Sequence, residues 1–431
     1  TPCGTLFPYT TLFRSASILF YTIIGCLLGV LTGLTPGLHV NTICIIGLGV
    51  YSQAGLTEYE FMSAMVSMSV THTFLDYIPA IFLGVPEEET SLTVLPAHRL
   101  LMEGRSLDAV KLTAWGSLIG LSSALVFLAP ALWILPGLYE SIRPIVAYII
   151  IFVAFSLIFR EGKNWIKALF IFILSGWLGL IILDMKALSS SQTLFPAFTG
   201  MFGLSTILLS LNTKQQKIPQ KPYSSIKLDA GILKSSLSGS VGGMLVGVLP
   251  SLSPSQVGVV MSRLYGSSKK NFLAAVSAIN TSDAVYSILA IYAIGNPRSG
   301  VAVALSKIME FDFTTVLLAV SVMALSALFA CFLHIKVGGI ASRLFQKVNY
   351  KIVSISVVLF IIGLAAYISG PVGLLILFTS TMLGLTAPSA GVVIGWIRRI
   401  PGVVDAEPVF GLELLRIEQA APSVFSGQIG R

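Results

Sequence analysis

Gly25-x3-Gly29-x3-Gly33-x2-Pro36-Gly37-Leu38-His39-x-Asn41 is a row of small residues that ends in a proline and a polar cluster, and it occurs twice. The second copy is Gly239-x3-Gly243-x3-Gly247-x2-Pro250-Ser251-Leu252-Ser253-x-Ser255, offset by 214 residues without a gap. A second pair follows at an offset of 211, Gly84-Val85-Pro86 with Gly295-Asn296-Pro297. Upstream of each, a helix is polar where apolar residues are expected: Thr71-His72-Thr73 with Asp76 in one copy, Asn280-Thr281-Ser282-Asp283 in the other. Self-similarity of this kind marks a duplicated architecture. The chain therefore reads as a first membrane repeat over 16–210, a basic linker over 211–230 and a second membrane repeat over 231–396. Residues 1–15 read as a non-native leader, and 397–431 as a tail without membrane character.

Between these landmarks the chain is apolar. Of 431 residues, 55% are hydrophobic and 11% charged, where a soluble domain carries roughly 25% charged residues. A spanning helix needs about 20 apolar residues, and such stretches fall at 16–34, 61–84, 112–136, 144–159, 165–183, 194–211, 231–249, 271–294, 314–335, 352–369 and 371–386. The fold expected is an all-α integral membrane protein with about ten to twelve transmembrane or re-entrant helices in two structural repeats. The net charge of +8 does not indicate a nucleic-acid partner. The basic residues lie in short loops between apolar runs, as the positive-inside rule requires of cytoplasmic loops. Four cysteines show neither a disulfide framework nor zinc spacing, and no nucleophile, phosphate-loop or zinc-protease motif is present.

Rows of glycine let helix backbones approach in lipid. The proline and polar residues that end each row add something packing does not require, because interrupted helices at membrane depth are tolerated only in a protein interior or a wet cavity. Breaks at matching places in two repeats point to a transport site. A chain restarting as a helix after Pro36 or Pro250 offers unpaired amides and a positive dipole end, which suit a carboxylate or phosphate. The candidate substrate ligands are Thr35, Pro36, Gly37, His39 and Asn41 in one copy and Pro250, Ser251, Ser253 and Ser255, with Gln256, in the other. Ionisable groups within spans are functional candidates. Asp76 and Asp283, with Asn280 and Thr281, are candidates to hold a coupling Na⁺ or carry a proton. No other cofactor and no resident metal is expected. His72 and Asp76, four apart, share a helical face but lack a third metal ligand.

The segments Gly33-Leu34-Thr35-Pro36-Gly37-Leu38 and Gly247-Val248-Leu249-Pro250-Ser251-Leu252, with Gly84-Val85-Pro86 and Leu95-Pro96-Ala97-His98, resemble the large membrane subunit of the tripartite tricarboxylate transporters, TctA type, and more closely its shorter, mostly archaeal relatives of unknown function. The resemblance covers most of 16–396 and departs at Ser251, where the family usually has Gly. It implies a multi-pass permease of the cell membrane, not an enzyme, carrying a small carboxylate with a small membrane subunit and an extracytoplasmic binding protein. In such a secondary transporter one bundle is expected to move past the other. Two other readings fit the same residues: a translocase of a lipid-linked phosphate, and an intramembrane metal-dependent enzyme using His39, His72 and Asp76.

Overall fold

The computed structural model describes residues 7–35, 38, 40–51, 53–83, 90, 93–142, 144–185, 187–188, 192–193, 196–197, 199–205, 207–208, 219–248, 253–255, 257–258, 261, 268–345, 347 and 350–389. In chain order the helices are α1 (Phe7–Leu34), α2 (Val40–Tyr51), α3 (Glu58–Leu75), α4 (Tyr77–Phe82), α5 (Val94–Met102), α6 (Ser106–Val126), α7 (Leu128–Ile142), α8 (Val146–Arg160) and α9 (Trp165–Asp184). They continue as α10 (Ala230–Val248), α11 (Lys269–Ile294), α12 (Gly300–Ile308), α13 (Phe313–Phe345) and α14 (Tyr350–Ser389). No strand occurs among the described residues, and six of their helices are long and apolar enough to cross a membrane. The protein is an all-α membrane protein.

Two compact units share the chain: 1–152 with 217–349, and 153–216 with 350–431. The first holds both glycine rows. In it α1 lies on α3 and α10 on α11, each through its glycines. Gly29 faces Met68 and Thr71, and Gly33 faces His72 and Leu75; Gly243 faces Ile279 and Ser282, and Gly247 faces Tyr286. The glycines differ by 214 and the residues facing them, Met68 and Ile279, Thr71 and Ser282, Leu75 and Tyr286, by 211. The two helix pairs thus meet in the same register.

The pairs are then interleaved. The helix after α5, α6, lies on α11, with Gly116 and Gly120 against Ala274 and Ala278 and Ser117 Oγ donating to the Ser277 carbonyl at 3.3 Å. The helix after α12, α13, lies on α3 and α6. His334 Nε2 of α13 is 2.9 Å from Thr113 Oγ1, Gly338 abuts Val110, and Ser106 Oγ and Ser342 Oγ are 2.9 Å apart. Wrapped by α6, α10, α3 and α13, α11 is buried around most of its circumference, as an apolar helix without a polar face must be.

The linker segment 219–229 is sewn to the start of α6. Asp108, itself buried, accepts from Ser224 Oγ at 2.7 Å and from the Ser225 amide at 2.7 Å and pairs with Arg105 Nε at 2.8 Å. Gln220 bridges the Ser106 amide and the Leu101 carbonyl.

In the second unit α9 is lined by exposed apolar side chains such as Trp177 and Leu180, suited to lipid. Gly370, at φ 61° and ψ −157°, interrupts α14 between the two apolar runs read at 352–369 and 371–386. Beside this interruption Gln192 Nε2 donates to the Ile368 carbonyl at 3.0 Å and the Ser369 hydroxyl donates to the Gln192 carbonyl at 2.7 Å.

Several boundaries differ from the sequence reading. The stretch 61–84 is not one span: α3 stops at Leu75, Asp76 is its C-cap, and α4 follows. Pro79 has no N–H for the Leu75 carbonyl, so the helix ends one turn before it. At the corresponding place α11 has Ala290 and runs on to Ile294. The run 112–136 divides at Phe127. Helix α1 begins at Phe7, inside the stretch read as leader. Once the apolar span has formed a turn, each added residue gains a hydrogen bond.

Candidate functional site

Both helix breaks lie in the first unit. After α1, the Leu38 amide donates to the Thr35 carbonyl at 3.0 Å, and helix resumes at Val40. After α10, it resumes at Pro254, with the Val257 amide on the Ser253 carbonyl at 3.1 Å. Val40 and Pro254 are again 214 apart. Pro36, Gly37, His39, Pro250, Ser251 and Gln256 lie outside the described residues, as does the segment 84–89. Thr35, Asn41 and Ser253 are half-buried and Ser255 is buried.

One short segment touches both breaks. Residues 296–300 connect α11 to α12, with Ser299 as N-cap of α12 through its hydroxyl and the Ala302 amide. Within it, Arg298 Nη1 donates to the carbonyl of Val248, the last residue of α10, at 2.9 Å. Two residues on, the Gly300 amide donates to Asn41 Oδ1 at 3.1 Å. The end of α10 before one break and the start of α2 after the other are therefore tied to the same five residues. Arg298 at the carboxyl end of α10 is favourably placed for the helix dipole. Tyr139 and Asp283 lie within its electrostatic reach. Asn296 Nδ2 donates to Tyr139 Oη at 2.7 Å, which fixes this side of the cluster.

The four residues read as coupling-ion ligands divide between two places. Asn280 Nδ2 donates to Asp76 Oδ2 at 2.8 Å, so a carboxylate of the first copy and an amide of the second meet across α3 and α11. Both are 2% exposed, and neighbouring Thr281 is fully buried. The break of α3 at Asp76 is what frees this residue from the regular helix. Asp283 is elsewhere: its Oδ1 accepts from Ser287 Oγ at 3.0 Å, on the side of Arg298. His72 Nδ1 lies 3.0 Å from Thr32 Oγ1, joining α3 to α1 one turn before the first break. Among the described residues no cluster of three or more His, Cys, Asp or Glu could hold a metal ion.

Arg298 and Tyr139 were not among the residues singled out from the sequence, and Asn296 entered only as part of the Gly295-Asn296-Pro297 correspondence. A signal existed, since Arg298 directly follows the Pro297 of the second repeat correspondence, at the place Glu87 takes in the first copy.

The sequence that builds this arrangement matches a family model. The tripartite tricarboxylate transporter TctA family aligns with residues 19–395. The chain belongs to this family. A protein of Methanocaldococcus jannaschii, described as uncharacterized, is 30% identical over 351 residues, which is 79% of this chain and 85% of that protein. No solved structure matches. Membership of the TctA family makes the chain a component of a transporter, and a tripartite transporter implies a small membrane subunit and a binding protein beside it.

Proposed function

We propose that this chain is a multi-pass permease of the cell membrane that moves a small organic anion, a carboxylate, as an ion-coupled secondary transporter. The single observation that supports this most is the segment 296–300, bonded to Val248 at one helix break and to Asn41 at the other. The two restarting helices would in this reading offer amides and positive dipole ends to one anion. In this reading the substrate lies against Thr35, Pro36, Gly37, His39 and Asn41 of one repeat and Pro250, Ser251, Ser253 and Ser255 of the other.

The coupling ion, Na⁺ or H⁺, is assigned to Asp76, Asn280 and Thr281, where a buried carboxylate and amide already meet. Asp283, turned to Ser287, takes part from the substrate side.

The experiment is thermal stabilisation of the purified protein by di- and tricarboxylates, inorganic phosphate and prenyl phosphates, with and without Na⁺ and at two pH values. A ligand raises the stability of the state it binds. A shift with one carboxylate that grows with Na⁺ or with acid is the result expected. A response to prenyl phosphate with silence from all carboxylates overturns the reading in favour of a lipid-phosphate translocase.

A further inference from the structure

Arg298 stands out among the basic residues of the first unit. It is half-buried, it sits beside a helix break, and it is two residues from a backbone amide bound to the other break. A guanidinium has five N–H donors, of which the Val248 carbonyl engages one nitrogen. The fork geometry of the group matches two parallel bonds to a carboxylate.

We propose that Arg298 is the specificity-determining residue of the transport site, pairing with one carboxylate of the substrate. This rests on the permease reading above and adds to it a preference for charge and an orientation. The first copy has Glu87 where the second has Arg298, so the repeat correspondence supplies a cation in the second copy alone. A substrate with a charged and a less charged end therefore enters with its carboxylate toward α10 and α12. Asp283, within reach of the same guanidinium, balances its charge when no substrate is present. Tyr139, held by Asn296, lies within reach of the same guanidinium.

The test uses the purified full-length protein and compares binding of succinate and tricarballylate with that of succinamide, the uncharged amide, and of inorganic phosphate. The variants are Arg298→Gln, Arg298→Lys and, as a charge control on the exposed side of α12, Lys307→Gln. The wild type is expected to favour a carboxylate over the amide, and Arg298→Gln to reduce that preference by about 30-fold, the low end of the loss for truncating one partner of a hydrogen-bonded charge pair, since Arg298 is half-buried. Arg298→Lys keeps charge without the fork and falls between the two. Lys307→Gln keeps the full preference.

An Arg298→Gln protein that melts at a lower temperature yet keeps the wild-type ratio of carboxylate to amide overturns the proposal and leaves Arg298 as a helix cap. Wild-type binding of phosphate alone, lost in Arg298→Gln, retains the anion-pairing role and refutes the carboxylate reading. A wild type that binds none of these anions removes both.

Discussion

Alanine at Gly29 tests whether the glycine rows are packing surfaces. A Cβ built there lies 2.6 Å from the Met68 carbonyl oxygen, 2.6 Å from Thr71 Cβ and 3.1 Å from the His72 nitrogen. Ordinary contact begins near 3.4 Å, so α1 and α3 must separate by about 0.8 Å. None of the three obstacles can rotate away, because two are backbone atoms and the third is a Cβ. Overpacking of this kind costs about 1–3 kcal/mol. It is opposed by about 1 kcal/mol of helix propensity gained when Gly becomes Ala. At Gly176 in α9 nothing lies within 4 Å, and only the gain remains. Gly29→Ala should therefore fall below Gly176→Ala by about 1–3 kcal/mol, which at about 2–4 °C per kcal/mol separates their melting temperatures by several degrees. Gly243→Ala should behave like Gly29→Ala, since the Ile279 carbonyl oxygen lies 2.7 Å from its built Cβ. Thermal unfolding in one detergent, followed by tryptophan fluorescence, measures all three. A Gly29→Ala protein as stable as Gly176→Ala refutes the close-packing account.

Two further outcomes are expected. Removing the amide in Asn280→Ala leaves the buried Asp76 without its donor at 2.8 Å and should destabilise by about 1–3 kcal/mol; a double-mutant cycle with Asp76→Asn that shows no coupling refutes the pairing. Outside the spans, the Ser17 and Thr57 hydrogen bonds hold the Glu60 carboxyl below the ordinary range, and those from Thr315 do the same for Asp312. A depressed folded-state pKa gives stability that is present above the unfolded value and lost as pH falls through the folded one. Melting temperature should accordingly decline below about pH 4. Asp312→Asn should flatten that decline, and an unchanged acid limb refutes the assignment.

The glycine registers could be read from the sequence because small residues four apart have one strong physical use in lipid, and the two copies preserve the spacing. The helix breaks were legible for the same reason, through Pro36 and Pro250. The end of α3 at Leu75 was written in Pro79, but an apolar run that continues past a proline does not announce where it divides. The meeting of Asp76 with Asn280 was not legible. These residues are not equivalent under the 211 offset, and only the packing of α3 near α11 brings them together. Arg298 escaped for a related reason. A lone arginine in a loop is ordinary in sequence, and its place is distinguished only by Val248 at 2.9 Å and by the bond between Gly300 and Asn41.

The interleaving of the copies bears on how a permease of the proposed kind can move. One bundle moving past the other was the motion expected from the sequence, and the simplest form of it slides the first repeat past the second. It would separate α6 from α11 and α13 from α3 and α6, breaking the Thr113–His334 contact, the Ser117–Ser277 bond and the glycine contacts of Gly116, Gly120 and Gly338 together. Close-packed interfaces do not deform gradually, so the first unit, which contains parts of both repeats, should move as one body. Ser106 and Ser342, with hydroxyls 2.9 Å apart, allow this to be tested. Cysteines at both positions, oxidised to a disulfide, would join α6 to α13 across the repeats. Transport of the identified substrate in proteoliposomes should survive oxidation at close to its reduced rate. Loss of transport on oxidation, restored by reductant, would show that the repeats slide and that the first unit is not one body.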